Sequence, residues 1–252
     1  MASLRSQGHA PTRRRGGLIT RLPVLLTLFL CLSVLFPAPA SAAMSGSCRV
    51  PDVYLTFNSF LPRTERLMDR SAPVRILVIG PQIDQRMLSS KKLSKLQHAL
   101  EARMPDVQFT ILEEEAVPGL AQEDFGRIRS AVERSEPDLV IWQIGTGDAL
   151  AGTDEATFAF TIDQAAEWLK GRNIYLVLVD PPFVPDVRHE SRYGRIVQQI
   201  DKISDRESLN VLRQYGATTY LFSSPQSGAR GGSGRLCLPE LLAEAIVRAA
   251  LR

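Results

Sequence analysis

The stretch Pro137–Ala149, PDLVIWQIGTGDA, decides the fold. It continues from a Pro–Asp break as the apolar run Leu139–Trp142 and stops at a glycine-flanked corner, Gly145–Asp148. A short apolar run bounded by turn residues predicts a strand that is buried on both faces, as in a parallel sheet. Ligands of open α/β sheets bind just beyond the carboxyl ends of strands, so this corner is predicted to border a functional cleft.

Strands and helices alternate on both sides of this stretch. Besides the strand that opens at Asp138, strands are predicted at Val74–Ile79, Val107–Leu112, Ile174–Val179 and Thr218–Phe222. Helices are predicted at Leu88–Met104, Asp124–Ser135, Thr157–Lys170, Arg192–Tyr215 and Leu236–Leu251. The alternation predicts an α/β domain with a five-stranded parallel sheet and helices on both of its faces.

The first 42 residues are predicted to be a signal peptide. A basic segment with Arg13–Arg15 precedes the apolar stretch Leu22–Phe36, and Ala40–Ala42 offers a small-x-small cleavage pattern. The alternative is an uncleaved N-terminal anchor, which the shortness of the apolar stretch disfavours. Residues 43–73 show no sustained period and are interpreted as an extended arm, and residues 74–252 form the domain. The expected location is periplasmic or secreted, without a stable membrane span after cleavage.

Removal of this leader changes the charge of the chain. Five of the 30 basic residues and none of the 27 acidic residues lie in it, so the formal charge falls from +3 to −2. No basic patch remains to indicate a nucleic-acid partner.

Cys48 and Cys237 are the cysteines that remain after the leader. In an exported chain, one cysteine near each end of the mature segment favours a single disulfide over two unpaired thiols. A metal site would need more ligands than these residues provide.

The strand VRILVIG and the stretch PDLVIWQIGTGDAL, with a helix, a strand and a helix between them, resemble the SGNH (GDSL-type) hydrolase family. The resemblance implies a flavodoxin-like three-layer α/β/α sandwich over residues 74–252. The family motif Gly-x-Asn-Asp is matched at three of its four positions by Gly145–Asp148, and Arg235–Ile246 resembles the closing helix.

The catalytic residues that the resemblance implies are not found in this chain. The position of the nucleophilic serine holds Gln82, and a glutamine amide does not serve as an acyl-accepting nucleophile. The position of the oxyanion-hole asparagine holds Gly147, which keeps only its backbone N–H. The oxyanion-hole glycine of the second family motif corresponds to Gly119, to within one residue.

The family's Asp-x-x-His, which precedes the last helix, has no counterpart in Ser223–Gly234. A replacement triad could combine His189, Asp180 or Asp186, and Ser223 or Ser224. The plainer interpretation, which we favour, is that His189 is a solvated loop residue.

Other chemistry-bearing residues have simpler interpretations. Asp148 could act as an acid or base, but capping of local backbone N–H groups is favoured. The acidic run Glu113–Glu115 could bind a cation, although a solvated loop is plainer. Trp142 and Trp168 are predicted to pack rather than stack on sugars. The glycine-rich segment Gly228–Gly234 lacks the spacing of a dinucleotide site, so no cofactor is predicted.

The sequence therefore predicts an exported SGNH-fold protein that has lost ester hydrolysis and acts as a binding or accessory protein in the cell envelope. An envelope glycan, an acyl ester or a protein are the partners considered. The alternative is an ester hydrolase or acyl-transfer enzyme that uses replacement residues, because a fold alone does not fix a function.

Overall fold

The apolar run at the centre of the sequence forms the middle strand of a parallel sheet. The computed structural model describes residues 44, 46–61, 72–80, 90–114, 119–185, 190–224 and 237–251. The strands are β1 (Val74–Ile79), β2 (Phe109–Glu114), β3 (Leu139–Gln143), β4 (Tyr175–Val179) and β5 (Asn210–Leu212). Their order is β2-β1-β3-β4-β5 and every pair is parallel. The predicted five-stranded parallel sheet is confirmed.

Helices cover both faces of this sheet, which gives the three-layer α/β/α fold. They are α1 (Ser90–Glu101), α2 (Ala121–Ser135), α3 (Thr146–Ala151), α4 (Glu155–Lys170), α5 (Glu190–Glu207), α6 (Gln214–Ser223) and α7 (Leu238–Ala250). One core joins the sheet to α1, α6 and α7, and the other joins it to α2, α4 and α5. Successive strand residues serve opposite cores, since side chains alternate across a strand: Ile141 belongs to the first core and Trp142 to the second.

The predicted fifth strand, Thr218–Phe222, is wrong, and so is the uninterrupted helix Arg192–Tyr215. Helix α5 ends at Glu207, because Ser208 adopts a left-handed φ of 54° and the chain turns. Asn210–Leu212, all buried, then pair with β4 as the edge strand β5. A strand of three residues inside an otherwise helical pattern leaves almost no periodic signal in the sequence.

The segment expected to be the fifth strand instead forms α6, because its N-terminus is capped from the sheet. The Asp180 carboxylate, at the end of β4, accepts hydrogen bonds from the backbone N–H groups of Tyr215, at 2.9 Å, and Gln214. Inside α6, Thr218 and Thr219 donate their hydroxyl hydrogens to carbonyls four residues earlier, at 2.7 and 2.8 Å. The β-branched and aromatic composition of TTYLF favours a strand, but the cap from Asp180 and the hydrogen bonds inside α6 override this preference.

The segment 46–61, expected to be an extended arm, contributes to the first core. Leu55, Phe57 and Leu61 are buried there, and the segment contains two short 3₁₀ turns, Gly46–Cys48 and Asp52–Tyr54. The disulfide predicted between Cys48 and Cys237 is present and ties the arm to the start of α7.

Polar contacts hold the arm at further points along its length. Asp52 pairs with Arg248 at 2.7 Å, and the Leu61 N–H donates to the Ala249 carbonyl at 3.0 Å. These contacts join the first described segment of the domain to α7. In the part of the chain that the structure describes, no helix has both the length and the apolar character needed to cross a membrane.

Candidate functional site

The candidate site lies at the carboxyl ends of β1 and β3, where the strand order reverses. The chain runs from β1 outward to β2 and then returns to β3 on the other side of β1. In open α/β sheets this reversal opens the crevice that binds ligands. Gly80 follows β1, Gly145 follows β3 and Asp180 follows β4, so the predicted corner occupies the expected edge of the sheet.

The corner turns at Gly145 because no other residue fits there. Its φ is 95°, and a β-carbon would lie 2.7 Å from Cγ2 of Ile196 on α5. The predicted corner continues directly into α3, a short helix that the sequence pattern did not indicate. Thr146, Gly147 and Asp148 are therefore the first residues of a helix rather than an open loop.

Gly147 and Gly119, the two oxyanion-hole positions implied by the family resemblance, are brought into direct backbone contact. A β-carbon on Gly147 would overlap the carbonyl oxygen of Gly119. An asparagine side chain would have to begin at that same point. The Gly119 carbonyl is a hydrogen-bond acceptor, so it offers no stabilisation to a developing oxyanion. The space that an oxyanion-hole asparagine would need is filled by main chain.

Asp148 is buried, with 1% of its surface exposed, and its carboxylate caps α2. The Ala121 N–H donates to its two oxygens at 3.1 and 3.4 Å. Burial raises the pKa of Asp148, and the hydrogen bonds from Ala121 and Thr153 oppose the rise. The sequence favoured a cap of local backbone N–H groups, whereas Ala121 lies 27 residues before Asp148 in the chain. The contact connects the corner after β3 to the segment that carries Gly119.

Asp124, on the first turn of α2, is a site residue that the sequence reasoning missed. Its carboxylate is 2% exposed and accepts a hydrogen bond from Nε1 of the buried Trp142 at 3.3 Å. It also pairs with Arg127 at 2.9 Å. Burial raises its pKa to about 6, against the opposing effects of Trp142 and Arg127. The acid–arginine spacing on the helix was the one available signal, and it is common on solvated faces.

Asp180 is not placed to act in the replacement triad. Its carboxylate is buried and caps the first turn of α6, whereas Ser223 and Ser224 lie at the other end of that helix. Eight helical residues separate Tyr215 from Ser223, a rise of about 12 Å. A histidine does not bridge that span with hydrogen bonds. His189, Asp186 and Gln82 lie outside the described residues, as do the glycine-rich residues 228–234.

The remaining chemistry-bearing residues are accounted for by packing and ion pairs. Glu114 pairs with Arg134 at 2.7 Å, and Glu115 lies outside the described residues. Trp168 packs beneath the Arg172 guanidinium, 3.7 Å from its ring centroid, and edge-on to Phe125. Within the ranges that the structure describes, no three His, Cys, Asp or Glu side chains could share a metal ion.

A cavity of about 560 Å³ opens beside the corner, between α3, the loop that follows it and the first turns of α5. Asp148 lies at its base, and Arg192 and Arg195 approach from α5. Arg195 pairs with Glu155 at 3.1 Å, while the guanidinium of Arg192 lies against Gly152. The volume is that of a small-molecule pocket, and its lining is mainly polar.

The fold agrees with the comparisons to known proteins. The sequence matches the Non-GDSL lipase-like family over residues 47–252, and the chain belongs to that family. No curated protein matches the sequence.

Several solved hydrolases share the fold at low sequence identity. Axe2, an acetylxylan esterase from Geobacillus stearothermophilus, superposes with a TM-score of 0.57 at 12% identity, covering 70% of this chain and 95% of its own. LAE5, an alpha/beta hydrolase from the metagenome of Lake Arreo, gives 0.56 at 14%, covering 71% and 99%. The esterase EstA from Pseudoalteromonas gives 0.52 at 14%, covering 69% and 97%. The SGNH-type fold is therefore established.

The Gly119–Gly147 contact predicts that Gly147→Ala destabilises the protein by about 1–3 kcal/mol, because the new β-carbon overlaps a backbone carbonyl. In an unobstructed helix the same change stabilises by up to about 1 kcal/mol. Gly126→Ala in α2 is the matched control, since a β-carbon there meets nothing within 4 Å. Thermal denaturation of the two variants should give shifts of opposite sign. Stabilisation by both would show that the contact is absent.

Proposed function

We propose that this protein is a non-catalytic binding or accessory protein of the cell envelope, exported to the periplasm or beyond, that retains the cleft of an SGNH hydrolase. The observation that carries the proposal is the backbone contact between Gly119 and Gly147. Donors that point at its oxygen stabilise a tetrahedral intermediate, and loss of one donor typically costs about 2.7–4 kcal/mol in the transition state.

The sequence supports the proposal at two further positions. Gln82 stands where the nucleophile is expected, and residues 223–234 contain neither aspartate nor histidine. Nucleophile and base act as a unit, so loss of either removes most of the benefit of the other, and the oxyanion donor contributes separately. Three changes at separate places in the chain favour loss of the activity over a variant mechanism.

The cavity beside the corner favours a polar ligand over an acyl chain. Its lining contains Asp148, Asp154 and Glu155 with Arg192 and Arg195, and few apolar side chains. A glycan or the polar surface of an envelope protein supplies hydroxyls, amides or charges for such groups. An aliphatic chain would displace water from these groups without offering hydrogen bonds in return, which is unfavourable.

The deciding experiment measures hydrolysis by the purified mature chain. Short-chain p-nitrophenyl esters and acetylated xylo-oligosaccharides serve as substrates, and Ser223→Ala, Ser224→Ala and His189→Ala serve as controls. The expected result is no turnover above the uncatalysed rate. Turnover that one of these substitutions abolishes would overturn the proposal and establish the alternative, an ester hydrolase or acyl-transfer enzyme with replacement residues.

Binding is tested separately with peptidoglycan fragments and acetylated glycans, by the shift that each produces in the melting temperature. Arg192→Ala should abolish the shift, since Arg192 lines the cavity. Arg134→Ala should preserve it, because Arg134 pairs with Glu114 and is not part of the cavity. A shift that is unchanged in Arg192→Ala would place the ligand elsewhere.

A further inference from the structure

A second cavity lies at the opposite edge of the sheet, where β4 and β5 begin. Its volume is about 570 Å³, in the range of small-molecule pockets. It is enclosed by the last turns of α4, the turn into β4, the turn between α5 and β5, and Ser59 of the arm. Nothing in the family resemblance assigns a role to this edge of the sheet.

The turns that form its walls are fixed by backbone hydrogen bonds. The Ile174 N–H donates to the Leu169 carbonyl, and the Leu209 N–H donates to the Ser204 carbonyl, both at 3.0 Å. The cavity is therefore built from rigid elements of the scaffold, and its shape exists before a ligand binds. A preformed cavity lowers the ordering cost of binding.

Asn210, the first residue of β5, supplies the observation that indicates a ligand. It lines the cavity and is 3% exposed. Its Oδ1 accepts hydrogen bonds from the Ser59 N–H at 2.8 Å and the Ser59 hydroxyl at 3.0 Å. Because a backbone N–H donates to this atom, it is the carbonyl oxygen, and the other atom is Nδ2. That nitrogen donates to no residue that the structure describes, and Asn210 lines the cavity, so an amide donor is left for a ligand to pair.

The rest of the lining narrows the chemistry of the ligand. Ile174, Leu176 and Leu209 provide apolar surface, and Tyr175 adds an aromatic ring. The charged side chains of the cavity are Asp163, Glu167, Glu207 and Lys170.

Two of the three acids are already paired with one guanidinium. Arg206 bonds Asp163 at 2.7 Å and Glu207 at 2.7 Å. The other two charged side chains, Glu167 and Lys170, provide one acceptor group and one donor group at the rim of the cavity. An anionic ligand would meet an excess of acids, so it is disfavoured.

We propose that this cavity is a binding site for a small uncharged saccharide. The C–H face of a sugar ring covers the apolar surface, and its hydroxyls both donate and accept hydrogen bonds. They can therefore accept from Asn210 Nδ2 and Lys170 and donate to Glu167. This site is separate from the cleft at the carboxyl edge of the sheet. The proposal of a saccharide site can therefore be refuted without refuting the proposed function.

The test is heteronuclear NMR titration of the mature chain with xylobiose and with chitobiose at millimolar concentration, and with glucose 6-phosphate as the anionic probe. The neutral disaccharides should shift the resonances of Ile174, Leu209 and Asn210, and the phosphate should not. No shift at these residues with either disaccharide would overturn the proposal, as would equal binding of the phosphate.

Two variants and a control locate the site. Asn210→Asp keeps the oxygen that accepts from Ser59 but removes the donor, and should weaken binding about tenfold. Ala166→Trp, on a half-buried position of α4, fills the cavity and should abolish binding even if Asn210→Asp disturbs the arm. Arg134→Ala, which removes a surface ion pair with Glu114 and lines neither cavity, should bind as the wild type does. Unaltered binding by Ala166→Trp would exclude this cavity.

Discussion

Replacement of both Cys48 and Cys237 with alanine is expected to lower the free energy of unfolding by about 2–5 kcal/mol. The disulfide spans a sequence separation of 189 residues, so it removes a large loop entropy from the unfolded chain, about 5 kcal/mol in the chain-entropy model. Both residues are buried, with 4% and 1% of their surface exposed, and loss of their sulfur atoms adds a packing defect. Urea denaturation followed by circular dichroism measures the change.

The double variant is expected to fold, because the arm keeps its other contacts with α7. The ion pair between Asp52 and Arg248 and the hydrogen bond from Leu61 to Ala249 do not depend on the disulfide. A reducing agent provides the control: it should destabilise the wild type toward the variant and leave the variant unchanged. Equal denaturation midpoints for the oxidised wild type and the variant would refute the prediction.

The second large effect concerns Asp124 and pH. Its pKa in the folded protein is about 6, above the ordinary value of 3.8. Between these two values the folded protein holds a proton that the unfolded chain has released. The contribution of Asp124 to stability is therefore greatest below about pH 4 and is lost as the pH rises through about 6. The loss is on the order of 3 kcal/mol, at 1.36 kcal/mol per pH unit.

Asp124→Asn removes this titration and keeps an oxygen that can accept from Trp142. Relative to the wild type, the variant should therefore gain about 3 kcal/mol in the free energy of unfolding between pH 4 and pH 7. Burial raises the pKa of Asp148 and Asp180 in the same direction. Both are present in the two proteins, so the difference between wild type and variant reports mainly on Asp124, whose pKa the charge of Asp148 also raises.

Asp154→Asn is a control with the opposite sign. Hydrogen bonds from Thr157 lower the pKa of Asp154, which lies on the surface, so its contribution is lost as the pH falls. Urea denaturation at a series of pH values measures both variants. A constant difference between the wild type and Asp124→Asn across this range would contradict the raised pKa.

The sequence predicts the buried layers of this fold better than its edges. The run Leu139–Trp142 is apolar on both faces because helices cover both faces of β3. Its residue types alone therefore predict its burial. The edge strand Asn210–Leu212 has three residues, and its pairing with β4 depends on a turn at Ser208 that no periodic pattern marks. The Asp180 carboxylate caps the N-terminus of α6, although Asp180 lies 35 residues before Tyr215 in the chain. Local propensity contains no information about a contact between such distant residues.

The candidate site shows the same division. Gln82 and Gly147 are readable from the sequence because the family resemblance fixes their positions. The contact between Gly119 and Gly147 joins the segment before α2 to the first turn of α3, and a missing side chain does not reveal what fills its place. The sequence does not indicate the burial of Asp124, because an acid on the first turn of a helix is usually solvated. Its burial depends on Trp142, which reaches it from the middle of the sheet.

The packing of the arm against α7 also determines when the core that they share can form during synthesis. Leu55, Phe57 and Leu61 share a core with Leu238, Leu241 and further residues of α7. A nascent chain therefore exposes these apolar side chains until α7 is available. Contacts between such distant segments form late and slowly. Completion of this core is thus a step that follows synthesis of the last helix, and an unfinished chain is the form that most needs protection from aggregation.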